Sequence, residues 1–190
     1  MATWVIVVIV IAVLLVMIFG IIIVWWVCTS NLIKRMQVKI SEASSGIDVA
    51  LEKRYDLLTK QLETVKGYAK FESKTLEDVV RLRAGKGQVD GEKLTQFNDS
   101  LDKLANEIDV VVERYPDLKA SSNFLSLQNS ITDTEEHIQA SRRIFNSNVS
   151  IYNQKIVSWP SSMVASSIGA KQETFFKAAD HKREDVKIEF

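Results

Sequence analysis

The sequence predicts an all-α protein: an N-terminal transmembrane helix that continues into an antiparallel bundle of three long helices, plus a short C-terminal helix. Three observations predict it. No charged residue occurs before Lys34, and Trp4 to Val27 form an unbroken apolar run of 24 residues. In the remainder, apolar residues recur in steps of three and four, the spacing of one helix face. Only two prolines and seven glycines punctuate the 190 residues, few for a β-rich or disordered chain.

The apolar run is long enough to cross a membrane. At about 1.5 Å per residue it spans ~36 Å, against a hydrocarbon core of ~30 Å. Trp4 stands at one end and Trp25 and Trp26 at the other, and indole rings favour both membrane interfaces. A cleaved signal peptide fits poorly, because no basic residue precedes the run and no small-residue cleavage site follows it. Lys34, Arg35 and Lys39 follow within twelve residues of Val27, whereas the leading "MAT" carries no basic side chain. Basic flanks stay cytoplasmic, so the N-terminus is expected outside and the rest of the chain inside. Lys34 and Arg35 also have stems long enough to snorkel to headgroups on either side. These six residues, Trp4, Trp25, Trp26, Lys34, Arg35 and Lys39, are the predicted membrane interface.

The next stripe is Ile40, Ala43, Ile47, Ala50 or Leu51, Leu58, Leu62, Val65, Ala69, Leu76 and Val79. No proline interrupts it, so one rod is expected to run from the membrane to about Arg83. "SEASSG" (41–46) is its weak point, and "AGKGQVDG" (84–91), with three glycines, its first clear break. A second helix is expected from about Glu92 to Arg114. Its stripe of Leu94, Phe97, Leu101, Leu104, Ile108, Val111 and Tyr115 resembles a coiled-coil seam, to be packed on the distal part of the first helix. Pro116 ends it. The third is expected from about Ser122 to Ser158, with Leu127, Ile131, Thr134, Ile138, Ser141, Phe145, Val149, Tyr152, Ile156 and Trp159 on one face. Pro160 stops it, and "SSMVASSIGA" reads as a short helix capped by Gly169. The domain reading is therefore an anchor at 1–30, a juxtamembrane helix at 31–46, a bundle at 47–168 and a charged, largely extended tail at 169–190.

Rise per residue makes the first soluble helix about 65 Å long, the second about 35 Å and the third about 55 Å. The second is too short to cover its neighbours. Ile40, Ile47, Ile144 and Ile151 are then left for the tail or for a second copy of the chain, and a homo-oligomer is expected.

Polar residues on the third helix raise a separate question. In "SRRIFNSNVSIYNQKI" (141–156), Asn146 and Asn153 lie seven apart. On a helical wheel they form one line with Glu135 and Arg142 along the edge of the apolar face. Asp56 and Glu63, also seven apart, form a matching acidic line on the first helix. Arg142, Asn146 and Asn153 are expected to fix helix register by pairing with Asp56 and Glu63, with Glu135 holding the Arg142 guanidinium from within its own helix. A solvated helix edge explains the same spacing equally well.

Reactive groups are thin. The chain balances 24 basic against 24 acidic residues, which gives no support to nucleic-acid binding. Its single Cys28 excludes an internal disulfide and any multi-cysteine metal site. His137, four residues after Asp133 and next to Glu136, is the one seed of a metal or enzymatic centre. An E-x-x-H pair would need Glu at Thr134, however, and H-E-x-x-H is absent. No cofactor and no enzymatic activity are expected.

Two long segments, "RYDLLTKQLETVKGYAKFES" (54–73) and "RYPDLKASSNFLSLQNSITDTEEHIQASRRIFNSNVSIYNQKI" (114–156), resemble the LemA family of bacterial membrane proteins. Arg54, Asp56 and Leu57 match its R-x-D-L, and Glu63 to Ala69 its E-T-V-K-G-Y-A. Tyr115 to Ala120 match Y-P-D-L-K-A, and Asn123 to Leu125 match N-F-L. Thr134, Glu135, Ile138, Arg142, Arg143, Asn146, Tyr152 and Asn153 match T-E-x-x-I, R-R-x-[YF]-N and Y-N. Thr59 and Lys60 stand where the family usually has proline and asparagine, which removes the basis for a kink there. The resemblance implies an N-terminally anchored helical protein of the bacterial cytoplasmic membrane and supplies no catalytic mechanism. With the residue reading, it points to a non-enzymatic scaffold or adaptor. The expected partners are the lipid bilayer, further copies of the chain and an unidentified membrane protein.

Overall fold

A computed structural model describes residues 2–68, 76–77, 79–81 and 91–177. The described elements are α1 (Ala2–Lys66), α2 (Gly91–Val112), α3 (Pro116–Lys119), α4 (Ser122–Val157) and α5 (Ser161–Ser167), and no strand occurs among these residues. The chain divides into two compact units. One comprises residues 1–39 and 150–172, the other residues 40–149 and 173–190.

Helix α1 passes through "SEASSG" without a break. Isolated, that stretch favours other conformations, with Gly46 alone costing about 1 kcal/mol against alanine. Buried Ile40 and Ile47 on either side offset this preference. Ser45 turns its hydroxyl back onto the Ser41 carbonyl at 3.0 Å, the mid-helix option open to a serine. The expected rod to Arg83 is not observed: α1 ends at Lys66. The amides of Gly67 and Tyr68 bond three residues back, to the Thr64 and Val65 carbonyls, so the last turn tightens and closes. Residues 76–77 and 79–81 are helical again, with Val79 fully buried. Ala69, Arg83 and most of the expected break at 84–91 lie outside the described residues.

The larger unit builds its core from three helical stripes. Ile47, Leu51, Leu58, Leu62 and Val65 come from α1, Leu94, Leu101, Leu104, Ile108 and Val112 from α2, and Phe124, Ile131, Ile138, Phe145 and Val149 from α4. On α2 the inward position after Ile108 is Val112, not Val111, because the helix ends there and the stripe need not continue to Tyr115. Helices α1 and α4 run antiparallel here. Arg54 meets Glu135, and Glu63, nine residues further along α1, shares a recess with Ser126, nine residues earlier on α4.

The smaller unit has a long bare end. Every residue from Thr3 to Cys28 is exposed, and burial begins at Thr29 and Ile33. Tyr152, Ile156, Val164 and Ala165 complete the core, and Gln37 Nε2 donates to the Tyr152 hydroxyl at 3.1 Å. Ser161 closes the corner between α4 and α5 by donating to the Lys155 and Ser158 carbonyls, the latter also accepting from the Ser162 amide at 2.8 Å. The Trp159–Pro160 peptide is cis. Trp159, expected on the apolar stripe, is 81% exposed because α4 has already ended at Val157. Gly169 has φ of 68°, a conformation open to glycine, and its amide bonds to Ser166 while that of Ala170 bonds to Ala165. This is the Schellman closure of α5 expected from the sequence.

Candidate functional site

The most concentrated chemistry among the described residues surrounds Arg54. Its α1 position puts the side chain on the inward face, where only 4% of it is exposed. Nη1 lies 2.7 Å from Oδ1 of Asp102, itself buried, and donates to Oδ1 of Asn98 at 3.1 Å. Nη2 lies 2.5 Å from Oε1 of Glu135, whose side chain keeps 39% of its surface in water. One guanidinium thus ties α1 to α2 twice and to α4 once. Arginine suits this place, because its planar fork presents several donors in fixed directions and stays charged when buried.

Beside it lies a cleft of about 220 Å³, lined by Arg54, Asn98, Asp102, Glu135, Arg142 and Phe176. The Arg142 guanidinium sits over the Phe176 ring, 5.7 Å from its centroid, within cation–π range. Asn146 clasps the backbone of the same residue. Its Nδ2 donates to the Phe176 carbonyl at 2.8 Å, and its Oδ1 accepts from the Phe176 amide at 2.9 Å. The amide of Lys177 donates to Thr95 Oγ1 at 3.1 Å. Gly91, at the head of α2, is buried against the carbonyls of Thr174 and Phe175, where a Cβ would collide with backbone. Residues 174–177 are therefore fastened to α2 and α4, and Phe176 is 2% exposed.

The arrangement holds and aligns. Arg54 engages one oxygen each of Asp102 and Glu135. Among titrating groups, Asp109 is held above the ordinary carboxylate value, first by loss of solvent, then by the negative charges of Glu113 and Glu135, against an opposing effect of Lys119.

Several sequence-predicted residues stand elsewhere than expected. Glu135 pairs with Arg54, whereas Arg142 faces Phe176. Asp56 and Glu63 are exposed, and Glu63 faces Asn123 and Ser126 at the start of α4. The register explains the difference: with Arg54 level with Glu135, Arg142 is level with Ile47, more than two turns from Asp56. Asn146 fastens the tail rather than a neighbouring helix, and Asn153 is half-buried on the part of α4 that belongs to the smaller unit. Ile40 and Ile47 are not left uncovered, being 7% and 0% exposed inside the chain, while Ile144 and Ile151 remain 60% and 52% exposed. Trp4, Trp25, Trp26, Lys34, Arg35 and Lys39 all reach the surface. Asp133, Glu136 and His137 are exposed, and no three His, Cys, Asp or Glu among the described residues are grouped as a metal would require. The tail, expected to be extended, has neither helix nor strand from 170 to 177, but it is docked at Phe176. Residues 178–190, including His181, lie outside the described residues.

Sequence reasoning missed Arg54 as a site although a signal was present. The α1 stripe passes from Leu51 to Leu58, and the absent inward position between them is residue 54. An arginine there demands buried acidic partners.

Comparison with known proteins agrees with the fold. Residues 43–190 match the model of the LemA family. Protein LemA of Metamycoplasma hominis is 30% identical over 169 residues, covering 88% of this chain and 77% of that protein. The magnetosome protein MamQ of Magnetospirillum gryphiswaldense is 29% identical over 80 residues, 42% of this chain and only 28% of its own length. MamQ 2 of Paramagnetospirillum magneticum is 28% identical over 81 residues, again 28% of its length. The single long apolar helix near the N-terminus is compatible with membrane anchoring. A helical chain with this anchor-like start, matched over more than three quarters of its length by one family model, belongs to the LemA family.

Proposed function

We propose that this protein is a membrane-anchored, non-enzymatic helical scaffold that works through protein contacts at the bacterial cytoplasmic membrane. The observation that carries the reading is the use made of its densest charged cluster. Arg54, Asn98, Asp102 and Glu135 are spent on joining three helices, which leaves a rigid body and no poised acid, base or nucleophile in that cleft. The exposed apolar start of α1 supports anchoring. Lys34, Arg35 and Lys39 after it support a cytoplasmic body. Ile144 and Ile151, seven apart and exposed on one α4 flank, supply an apolar face for a second copy of the chain.

The test is a mass measurement in mild detergent at micromolar protein. A mass that is a multiple of 21.5 kDa is expected, falling to one chain in the Ile144→Asp, Ile151→Asp variant. A single-chain mass for the wild type would overturn self-association.

A further inference from the structure

The two units differ sharply in charge. Residues 1–39 and 150–172 contain five basic residues, Lys34, Arg35, Lys39, Lys155 and Lys171, and no acidic residue. All 24 acidic residues fall in the other unit. All four tryptophans of the chain, Trp4, Trp25, Trp26 and Trp159, fall in the first. Such a composition suits a body that lies against anionic lipid, since carboxylates there would be repelled and indoles favour the interface.

The α4–α5 corner has the position that this requires. Gln37 bonds to Tyr152 and Trp25 shares a recess with Trp159, so the helices run antiparallel, and Val157, five residues past Tyr152 at the end of α4, comes level with about Leu32. That is five residues beyond Val27, or ~8 Å along α1 from the end of the apolar run, and Trp159 lies in the turn that follows. The headgroup layer on each side of a ~30 Å hydrocarbon core is ~5–8 Å deep. Trp25 and Trp159 line the same recess, together with Lys155, Ser158 and Pro160. At the corner, Trp159 is 81% exposed, and Val157 and Met163 are each 57% exposed. Three large apolar side chains, level with the membrane boundary and flanked by lysine rather than acid, are poorly suited to water and well suited to lipid.

We infer that the α4–α5 corner, led by Trp159 with Val157 and Met163, inserts into the anionic headgroup layer as a second membrane contact beside the transmembrane helix. This rests on the anchoring reading, and the experiment separates the two. The full chain is reconstituted in vesicles of mixed phosphatidylethanolamine and phosphatidylglycerol. One variant keeps only Trp159, through Trp4→Phe, Trp25→Phe and Trp26→Phe, and another keeps only Trp25. Emission is then read with lipids brominated near the headgroup end of the acyl chain.

The expected result is a blue-shifted Trp159 emission that brominated lipid quenches and aqueous acrylamide does not. Quenching of Trp25 but not of Trp159 would overturn the inference and leave the anchor intact. Two forms of that failure are distinct: a red, acrylamide-quenched Trp159 faces water, and a blue one that neither agent quenches is covered by protein. Loss of bromine quenching at both tryptophans would remove the anchoring reading itself.

Discussion

Arg54 occupies an inward position of α1 that a leucine would fill in a plain bundle, three residues past Leu51 and four before Leu58. The arginine makes sense only with Asp102 opposite. Arg54→Met should destabilise the larger unit by about 3–5 kcal/mol, because it strands a buried carboxylate. Adding Asp102→Leu should recover most of that loss, since a buried ion pair replaced by apolar groups of similar size is often neutral or stabilising. Thermal melts followed by helical circular dichroism check this, and a double variant no better than the single one would assign the pair a role other than alignment. Asp109 gives a prediction in pH. Its folded-state value is raised, so the folded protein binds its proton more tightly than the unfolded chain does. Its charge therefore opposes folding once the pH exceeds that raised value, and contributes nothing below the ordinary 3.8. Asp109→Asn should raise Tm at pH 7, with the gain shrinking on acidification and vanishing below pH 3.8. A gain that ignores pH would point to packing instead.

At the scale of elements, periodicity served well where a helix buries one continuous face. The α4 stripe from Ile131 to Ile156 is buried as read except at half-buried Ser141, and the α5 cap at Gly169 closes as glycine allows. The ends of α1 and α2 were less legible. Gly67, where α1 closes, was not read as a break, and the drift from Val111 to Val112 shows only in three dimensions. Of the site, Glu135, Arg142 and Asn146 were recognised as special from their shared line, but their partners were not. Side-chain pairing across helices depends on register, and a two-turn offset leaves every local pattern unchanged. The docking of the tail was hidden for a different reason, because Gly91 meets the backbone of Thr174 and Phe175, and Asn146 that of Phe176, and such contacts leave no periodic trace. Gly91→Ala should displace residues 174–177, since the added carbon would lie 2.8 Å from the Phe175 carbonyl carbon. Asn146→Ala should have a similar effect by removing two hydrogen bonds, at roughly 0.5–1.5 kcal/mol each. Faster amide exchange at Phe176 and Lys177 in both variants checks this; unchanged protection would show that the ring alone holds the tail.

At the scale of the whole molecule, charge is sorted by unit, and the three basic residues that bear on the proposed orientation lie in the acid-free one. Lys155 and Lys171 belong to the same acid-free unit as Lys34, Arg35 and Lys39. Positive charge close to the end of a membrane span is what retains that side in the cytoplasm. Replacing Lys34, Arg35 and Lys39 by glutamine should yield a mixed population, seen as partial digestion by protease added to intact spheroplasts. Wild-type protein should stay whole under the same treatment, and its complete digestion would overturn the proposed orientation.

The division of the chain also sets what can be cut away. Residues 150–172 belong with 1–39, yet they lie between 149 and 173, both of which belong to the other unit. The two units are interleaved along the chain, and a single cut cannot part them. Deleting the chain up to Lys39 to obtain a soluble fragment removes the only α1 residues in the unit that Tyr152, Ile156 and Val164 help to build. A chain beginning at Ile40 should accordingly be sticky rather than well behaved, binding a hydrophobic dye at its α4–α5 end. Further deletion of 150–172, with a short linker rejoining 149 to 173, should abolish the dye binding and keep the Arg54 cluster intact.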